Sequence, residues 1–224
     1  MRRGKTAGLI VIALVALAGC ASRLGYPGGT VGMPTPVTLF SKVPQQGTIT
    51  KNMNYLARDI WSSLYEKKFQ EVLNKIDPET LQRTLNINFA KRAARATALF
   101  APSSTEVLNI GVDYGKTKSD PKSYSGFDFS QYKDTIPTQF ILAFTIDEWG
   151  LIAAQRDTDN GPYVSLTMQL VDKDTNDSLW KYSYLFQTPM AKDEDKLTRP
   201  AAFQDILEHL IAQAVDAYFK WLGA

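Results

Sequence analysis

The chain has 224 residues, carries 25 Lys and Arg against 23 Asp and Glu, and is 44% hydrophobic. That length suits one domain with a tail, or at most two small ones, and the apolar share is that of an ordinary globular core. A single cysteine excludes an internal disulfide framework, and a single histidine leaves any metal site only carboxylates to draw on.

Residues 1–19 read as a signal peptide. Arg2, Arg3 and Lys5 give a positive start, Leu9 to Leu17 is a continuous apolar run, and Ala18-Gly19 supplies small residues before a cut. The run is too short for a hydrocarbon core of about 30 Å, which takes roughly 20 residues to cross. Leu17-Ala18-Gly19-Cys20 closely resembles a bacterial lipobox. The resemblance implies cleavage between Gly19 and Cys20 and acylation of Cys20, which makes the membrane a partner. Two or three acyl chains are enough for stable anchoring. An ordinary secretory signal with an incidental cysteine is the plainer alternative. Ala21 and Ser22 follow, without the Asp that favours inner-membrane retention in Gram-negative lipoproteins. By resemblance this implies the periplasmic face of the outer membrane, or the outer face of the cytoplasmic membrane in a Gram-positive cell. Removing residues 1–19 takes away three basic residues and no acidic one, leaving 22 against 23. A nucleic-acid partner then loses its electrostatic support.

Residues 20–36 form the lipidated cysteine and a flexible tether, rich in glycine (Gly25, Gly28, Gly29, Gly32) and proline (Pro27, Pro34, Pro36). Residues 37–224 are expected to form a single α+β domain. Val37 to Val43 predicts a first strand, closed by Pro44-Gln45-Gln46-Gly47. Asn52 to Phe69 predicts a helix whose buried stripe is Met53, Leu56, Ile60 and Leu64, widened by Ala57 and Trp61. Asp77-Pro78-Glu79 restarts a helix, with Asp77 as N-cap and Pro78 at its first position. Leu81, Leu85, Phe89, Ala93, Ala96 and Phe100 carry it to Ala101-Pro102, opposite a basic face of Arg83, Lys91, Arg92 and Arg95.

From Glu106 the apolar period changes from 3.6 to 2. Leu108, Ile110, Val112 and Tyr114 mark one strand, and Phe140, Leu142, Phe144 and Ile146 one face of another. Ile141 and Ala143 on the second face of that strand predict a central position, covered on both sides. Tyr163 to Leu170 and Trp180 to Phe186 form a hairpin through Asp172–Ser178. Phe203, Ile206, Leu207, Leu210, Ile211, Ala214, Val215 and Tyr218 predict a closing helix from Pro200 to about Leu222. The sum is a mixed or antiparallel sheet of about four to five strands packed by two or three helices. Two long polar segments remain, Gly115 to Pro137 and Thr188 to Arg199. The first holds Tyr124, Phe127, Phe129 and Tyr132, which either fold back on the sheet or anchor a protein interface.

No catalytic residue emerges. There is no G-x-S-x-G, no phosphate-binding glycine loop, and His209 sits on the closing helix between Glu208 and Leu210. Asp172 to Asp177 has oxygen ligands at the first, third and fifth positions of a calcium loop. Asp177 stands where that loop needs Gly, however, and Ser183 where it needs Glu, so turn chemistry explains the stretch better and no metal is assigned. Asp147 and Glu148 are adjacent on a strand and should point to opposite faces, unfit to flank one bond.

Ile146-Asp147-Glu148-Trp149-Gly150, the Tyr163–Asp172 strand and the Asp174-Thr175 turn into Leu179-Trp180 resemble the later half of the TolB amino-terminal-like lipoproteins. That group includes outer-membrane activators of penicillin-binding proteins and export lipoproteins. Asn176 and Asp177 stand where the group's usual Gly and its follower would be, and residues 37–110 show two helices where one helix and a strand are usual. The resemblance implies a non-enzymatic envelope protein with no cofactor, a structural or accessory subunit that binds a protein partner or assembles with itself. An activator of a peptidoglycan or polysaccharide synthase, and an enzyme with an unrecognised site, are the alternatives. Candidate contact residues are Tyr124, Phe127, Phe129 and Tyr132 in the aromatic segment and Arg92 and Arg95 on the basic helix.

Overall fold

A computed structural model describes residues 37–95, 107–108, 127–129, 132–154, 161–188 and 197–222. Gly19, Cys20, Tyr124 and the 20–36 tether lie outside them.

The architecture is α+β, built on one mixed sheet. Its axis is β4 (Phe140–Ala154), a strand of 15 residues. As the sequence predicts, β4 is covered on both faces. Leu142, Phe144 and Ile146 enter the larger core on the helical side, while Ile141 and Ala143 enter a smaller cluster opposite. One edge of β4 carries β5 (Gly161–Asp172), antiparallel, and beyond it β6 (Ser178–Gln187), also antiparallel. The other edge carries two parallel strands end to end: β1 (Val37–Lys42) on residues 140–145 and β2 (Thr48–Asn52) on residues 150–154. A two-residue β3 (Val107–Leu108) lies outside β1, giving the order β3-β1-β4-β5-β6 with β2 off that path.

β1 and β2 thus behave as one interrupted strand. The interruption wraps Trp149, whose indole Nε1 donates to the Pro44 carbonyl at 2.8 Å. β2 is a departure from the sequence reading, which placed no strand between Val43 and Asn52. Its residues alternate between exposed and half-buried, and only Ile49 packs against the core, so its apolar signal is slight. β4 also runs through Gly150, where the sequence pattern stops.

The helices cover one face. A helical stretch begins with α1 (Tyr55–Trp61), passes through a π-helical turn at Ser62–Glu66 and continues as α2 (Lys67–Leu73). Asn54 caps it, its side chain accepting from the Ala57 N–H at 2.9 Å. α3 (Pro78–Arg95) starts at the predicted Asp77 cap, which accepts from the Thr80 hydroxyl and the Glu79 N–H. The Thr80 bond above all holds the Asp77 carboxyl below its ordinary range. Leu81, Leu85, Phe89 and Ala93 are buried as expected; Ala96 and Phe100 lie outside the described residues. α4 (Pro200–Trp221) buries Phe203, Leu207, Leu210, Ile211, Ala214, Val215 and Tyr218 against sheet and α3. The Tyr218 hydroxyl bonds the Leu166 carbonyl, pinning the helix to β5.

Candidate functional site

The sequence-predicted contact residues do not form one surface. Phe127 and Phe129 are buried and meet Phe40 edge-on, with ring centroids 5.3 Å and 5.2 Å apart. Tyr132 packs half-buried against the same cluster. These rings therefore close the second face of the sheet, the packing role weighed for them from the sequence, and burial withdraws both phenylalanines from a partner. Asn176 fixes this arrangement. It takes the left-handed conformation (φ 60°), donates to the Phe127 carbonyl at 2.6 Å and accepts from the Phe129 N–H at 3.0 Å. Arg92 pairs with Asp216 of α4, while Arg95 is exposed in the last turn of α3.

The Asp172–Asp177 stretch is a turn. Asp172 Oδ1 accepts from the N–H groups of Asp174 (2.8 Å) and Thr175 (3.1 Å). Burial opposes ionisation of Asp172, but the Thr175 N–H, the Gln139 amide and the Asp174 N–H together outweigh it and hold the carboxyl below its ordinary range. His209 is exposed, with Gln213 at 2.9 Å. No group of three or more His, Cys, Asp or Glu among the described residues is placed to hold a metal ion.

The structure corrects the sequence reading of Asp147 and Glu148. A register shift between Ile146 and Glu148 makes Asp147 the extra residue of a β-bulge, and a bulge breaks strict alternation. Both carboxylates consequently turn to the face opposite the helices. Asp147 accepts from the hydroxyls of Thr167 and Thr145, and Glu148 from Tyr163 at 3.1 Å. Since Thr167 donates to Asp147, Ser183, 2.6 Å away, donates to Thr167. The phenol of Tyr163 also meets Thr48 (2.7 Å) and Thr50 (3.0 Å), so this cluster ties β2 to β5. Burial pushes the Tyr163 phenol up and keeps it a donor. Chemically, the cluster is a set of carboxylates already held by the protein's own hydroxyls. An open cleft of about 520 Å³ lies elsewhere and is lined by Ser62, Glu66, Lys67, Gln70, Glu71 and Asn74. All six come from one helical stretch, which makes it a groove along a helix.

Burial also raises Asp147 above the usual aspartate range, against the lowering effects of Thr167, Lys181 and Thr145. The folded chain therefore keeps this proton at pH values where the unfolded chain has lost it. Stability falls as pH rises from about 4 through the raised value, and levels off above it. Asp147→Asn, which keeps an acceptor for Thr167, should remove that decline. In urea melts the variant's stability relative to the parent should grow from about pH 4 toward pH 7. A constant difference would show that Asp147 titrates as an ordinary exposed carboxyl.

A second departure concerns α1. Leu56, Ile60 and Leu64, read from the sequence as core, are 73%, 56% and 63% exposed, and Tyr55 is 79% exposed. The inward stripe is Trp61, Tyr65, Phe69, Val72 and Leu73, with Trp61 stacked on Phe69 at 6.0 Å. The helix thus carries two apolar stripes about 100° apart, and its own domain covers one.

No family model matches the chain, and no curated protein does. Similar solved structures include protein XCC0632 from Xanthomonas campestris, of the DUF330 family. It is 10% identical, with 82% of this chain and 85% of that one covered and a TM-score of 0.38. A PelC dodecamer from Paraburkholderia phytofirmans is 10% identical over 79% of this chain and 84% of that one, TM-score 0.29. Lipoprotein GNA1162 from Neisseria meningitidis is 13% identical over 81% and 97%, TM-score 0.25. Likeness this slight leaves function to the chain's own residues.

Proposed function

We propose that this chain is a lipid-anchored cell-envelope protein that works by binding, as a structural or accessory subunit of an envelope assembly, and not as an enzyme. The observation that carries the reading is Cys20, the only cysteine, placed directly after Arg2-Arg3, the Leu9–Leu17 apolar run and Ala18-Gly19. Acylation there supplies about 0.8 kcal/mol for each buried CH₂, so two or three chains hold the domain at a membrane without a spanning helix. Among the described residues no helix is long and apolar enough to cross a bilayer. The Ala21-Ser22 pair supports the outer membrane as the address. The carboxylates of the bulge, engaged by internal hydroxyls, support a structural role for the polar cluster.

The test is the anchor. The mature wild-type chain should begin at Cys20, carry the mass of its acyl groups and sediment with membranes. Cys20→Ser should leave the precursor uncleaved and unlipidated. A Cys20→Ser product that is processed normally and stays membrane-anchored would end the reading. Crosslinking in the native membrane then separates the two kinds of partner: links only between copies mean self-assembly, and links to a synthase or export component mean an accessory role.

A further inference from the structure

We propose that the exposed face running from α1 into the π-helical turn, formed by Leu56, Ile60 and Leu64 with Tyr55 beside them, rests on the phospholipid surface to which Cys20 anchors the chain. The proposal depends on the anchoring reading above. Leu56, Ile60 and Leu64 recur every four residues and so line one side of the helix. Tyr55, exposed at the helix start, flanks Leu56 about 100° round the axis, and Lys68, the next position at that spacing, ends the stripe. Tyrosine suits headgroup depth, with an apolar ring and a polar tip, and Lys67 and Lys68, both exposed, have long apolar stems able to lie along apolar surface while their charges stay in water. Glu66 is drawn away by Lys51 at 2.7 Å, leaving Asp59 and Glu71 as the acidic residues of the stretch. An apolar stripe, a basic fringe and no capacity to span are the features of a helix that lies in the membrane interface.

The chain outside the described domain makes the contact reachable. β1 and β2 both run along β4, so Val37 and the start of α1 sit near opposite ends of that strand. Fifteen residues of strand measure about 45–50 Å. Residues 21–36 span at most about 55–60 Å when fully extended. Anchor and α1 can therefore touch the same bilayer. Permanent tethering also raises the effective concentration of the helix at the surface, so a weak contact suffices. A protein partner is a poorer match. A stable interface takes about 800 Å² and some 20–30 residues from each side, and four side chains on two helical turns fall well short.

The test uses the full chain, expressed with its own signal and reconstituted into phosphatidylethanolamine–phosphatidylglycerol vesicles. Acylation consumes the only native thiol, so Ile60→Cys offers a single site for a nitroxide, and Lys181→Cys, on the far face of the sheet, is the control. Ile60 is exposed, so its replacement leaves the core intact. The ratio of oxygen to nickel-chelate collisions should rise several-fold at position 60 over position 181. Equal ratios on an anchored chain would overturn the proposal. Shielding with spin–spin broadening that vanishes on dilution with unlabelled chain would assign the face to a second copy and overturn it too. Intact mass separates the two readings. One label plus acyl groups means the anchor is present, whereas a second label on Cys20 overturns the anchor and this proposal together.

Discussion

Gly150→Ala is expected to destabilise the domain by about 3–5 kcal/mol, the sum of a strained backbone and a steric intrusion that cannot relax. Gly150 has φ 150°, a region that L side chains rarely adopt. A Cβ there would stand 1.9 Å from the Thr48 carbonyl oxygen and 2.8 Å from the Thr48 nitrogen. Both are backbone atoms of β2, held in register opposite Gly150, and no rotamer change relieves the clash. β2 must leave the edge of β4, and with it go the bonds from Thr48 and Thr50 to Tyr163. The turn before β2 adds to the constraint, since a Cβ at Gly47 would stand 2.5 Å from the Trp149 ring. Urea denaturation followed by tryptophan fluorescence reads the loss, and a change below about 1 kcal/mol would show that β2 docks loosely enough to yield.

Gly150 also marks where the sequence stops being legible. Elements that bury an apolar face against their own chain are readable. The α4 stripe from Phe203 to Tyr218, the β5–β6 hairpin and the two-sided apolar pattern of β4 appear in the structure as their periodicity predicts. β2 is not readable, because Thr48–Asn52 becomes a strand by pairing with the far half of β4 and displays almost no apolar alternation of its own. The bulge at Asp147 is hidden for a related reason. Period-2 reasoning assumes one residue per step, and the extra residue appears only once β4 is registered against β5. That single insertion reverses the expected separation of Asp147 and Glu148. In α1 and the π-helical turn that follows it, periodicity correctly finds Leu56, Ile60 and Leu64 on one face but says nothing of what covers it. The competing stripe of Trp61, Tyr65 and Phe69, one position further on, takes the core instead. The candidate contact residues fail differently. Aromatic content in a long segment has the same signature whether the rings meet Phe40 or a partner, and the bonds from Asn176 that decide the matter are side-chain contacts across 49 and 47 residues.

Phe89→Ala should cost about 3–5 kcal/mol, a large part of the 5–15 kcal/mol that holds a typical domain folded. Phe89 is fully buried on the inward face of α3. Its ring lies 4.4 Å from Phe144 of β4 and 5.7 Å from Phe219 of α4, so one side chain joins both helices to the central strand. Truncation loses the transfer energy of the ring, its edge-on contact with Phe219 and the filling of a space that three rigid elements cannot collapse into. Phe89→Leu, which restores most of the volume, should lose no more than about half as much. Three residues on from Phe89, at the same helix's surface, sits the neighbouring Arg92–Asp216 bridge, which joins the same two helices with side chains 38% and 53% exposed. Exposure and screening limit such a pair to about 0–1 kcal/mol, so Asp216→Ala should shift the urea midpoint only slightly. If the two alanine variants proved equally damaging, the attachment of α3 to α4 would rest on its charged rim and not on the aromatic contact beneath it.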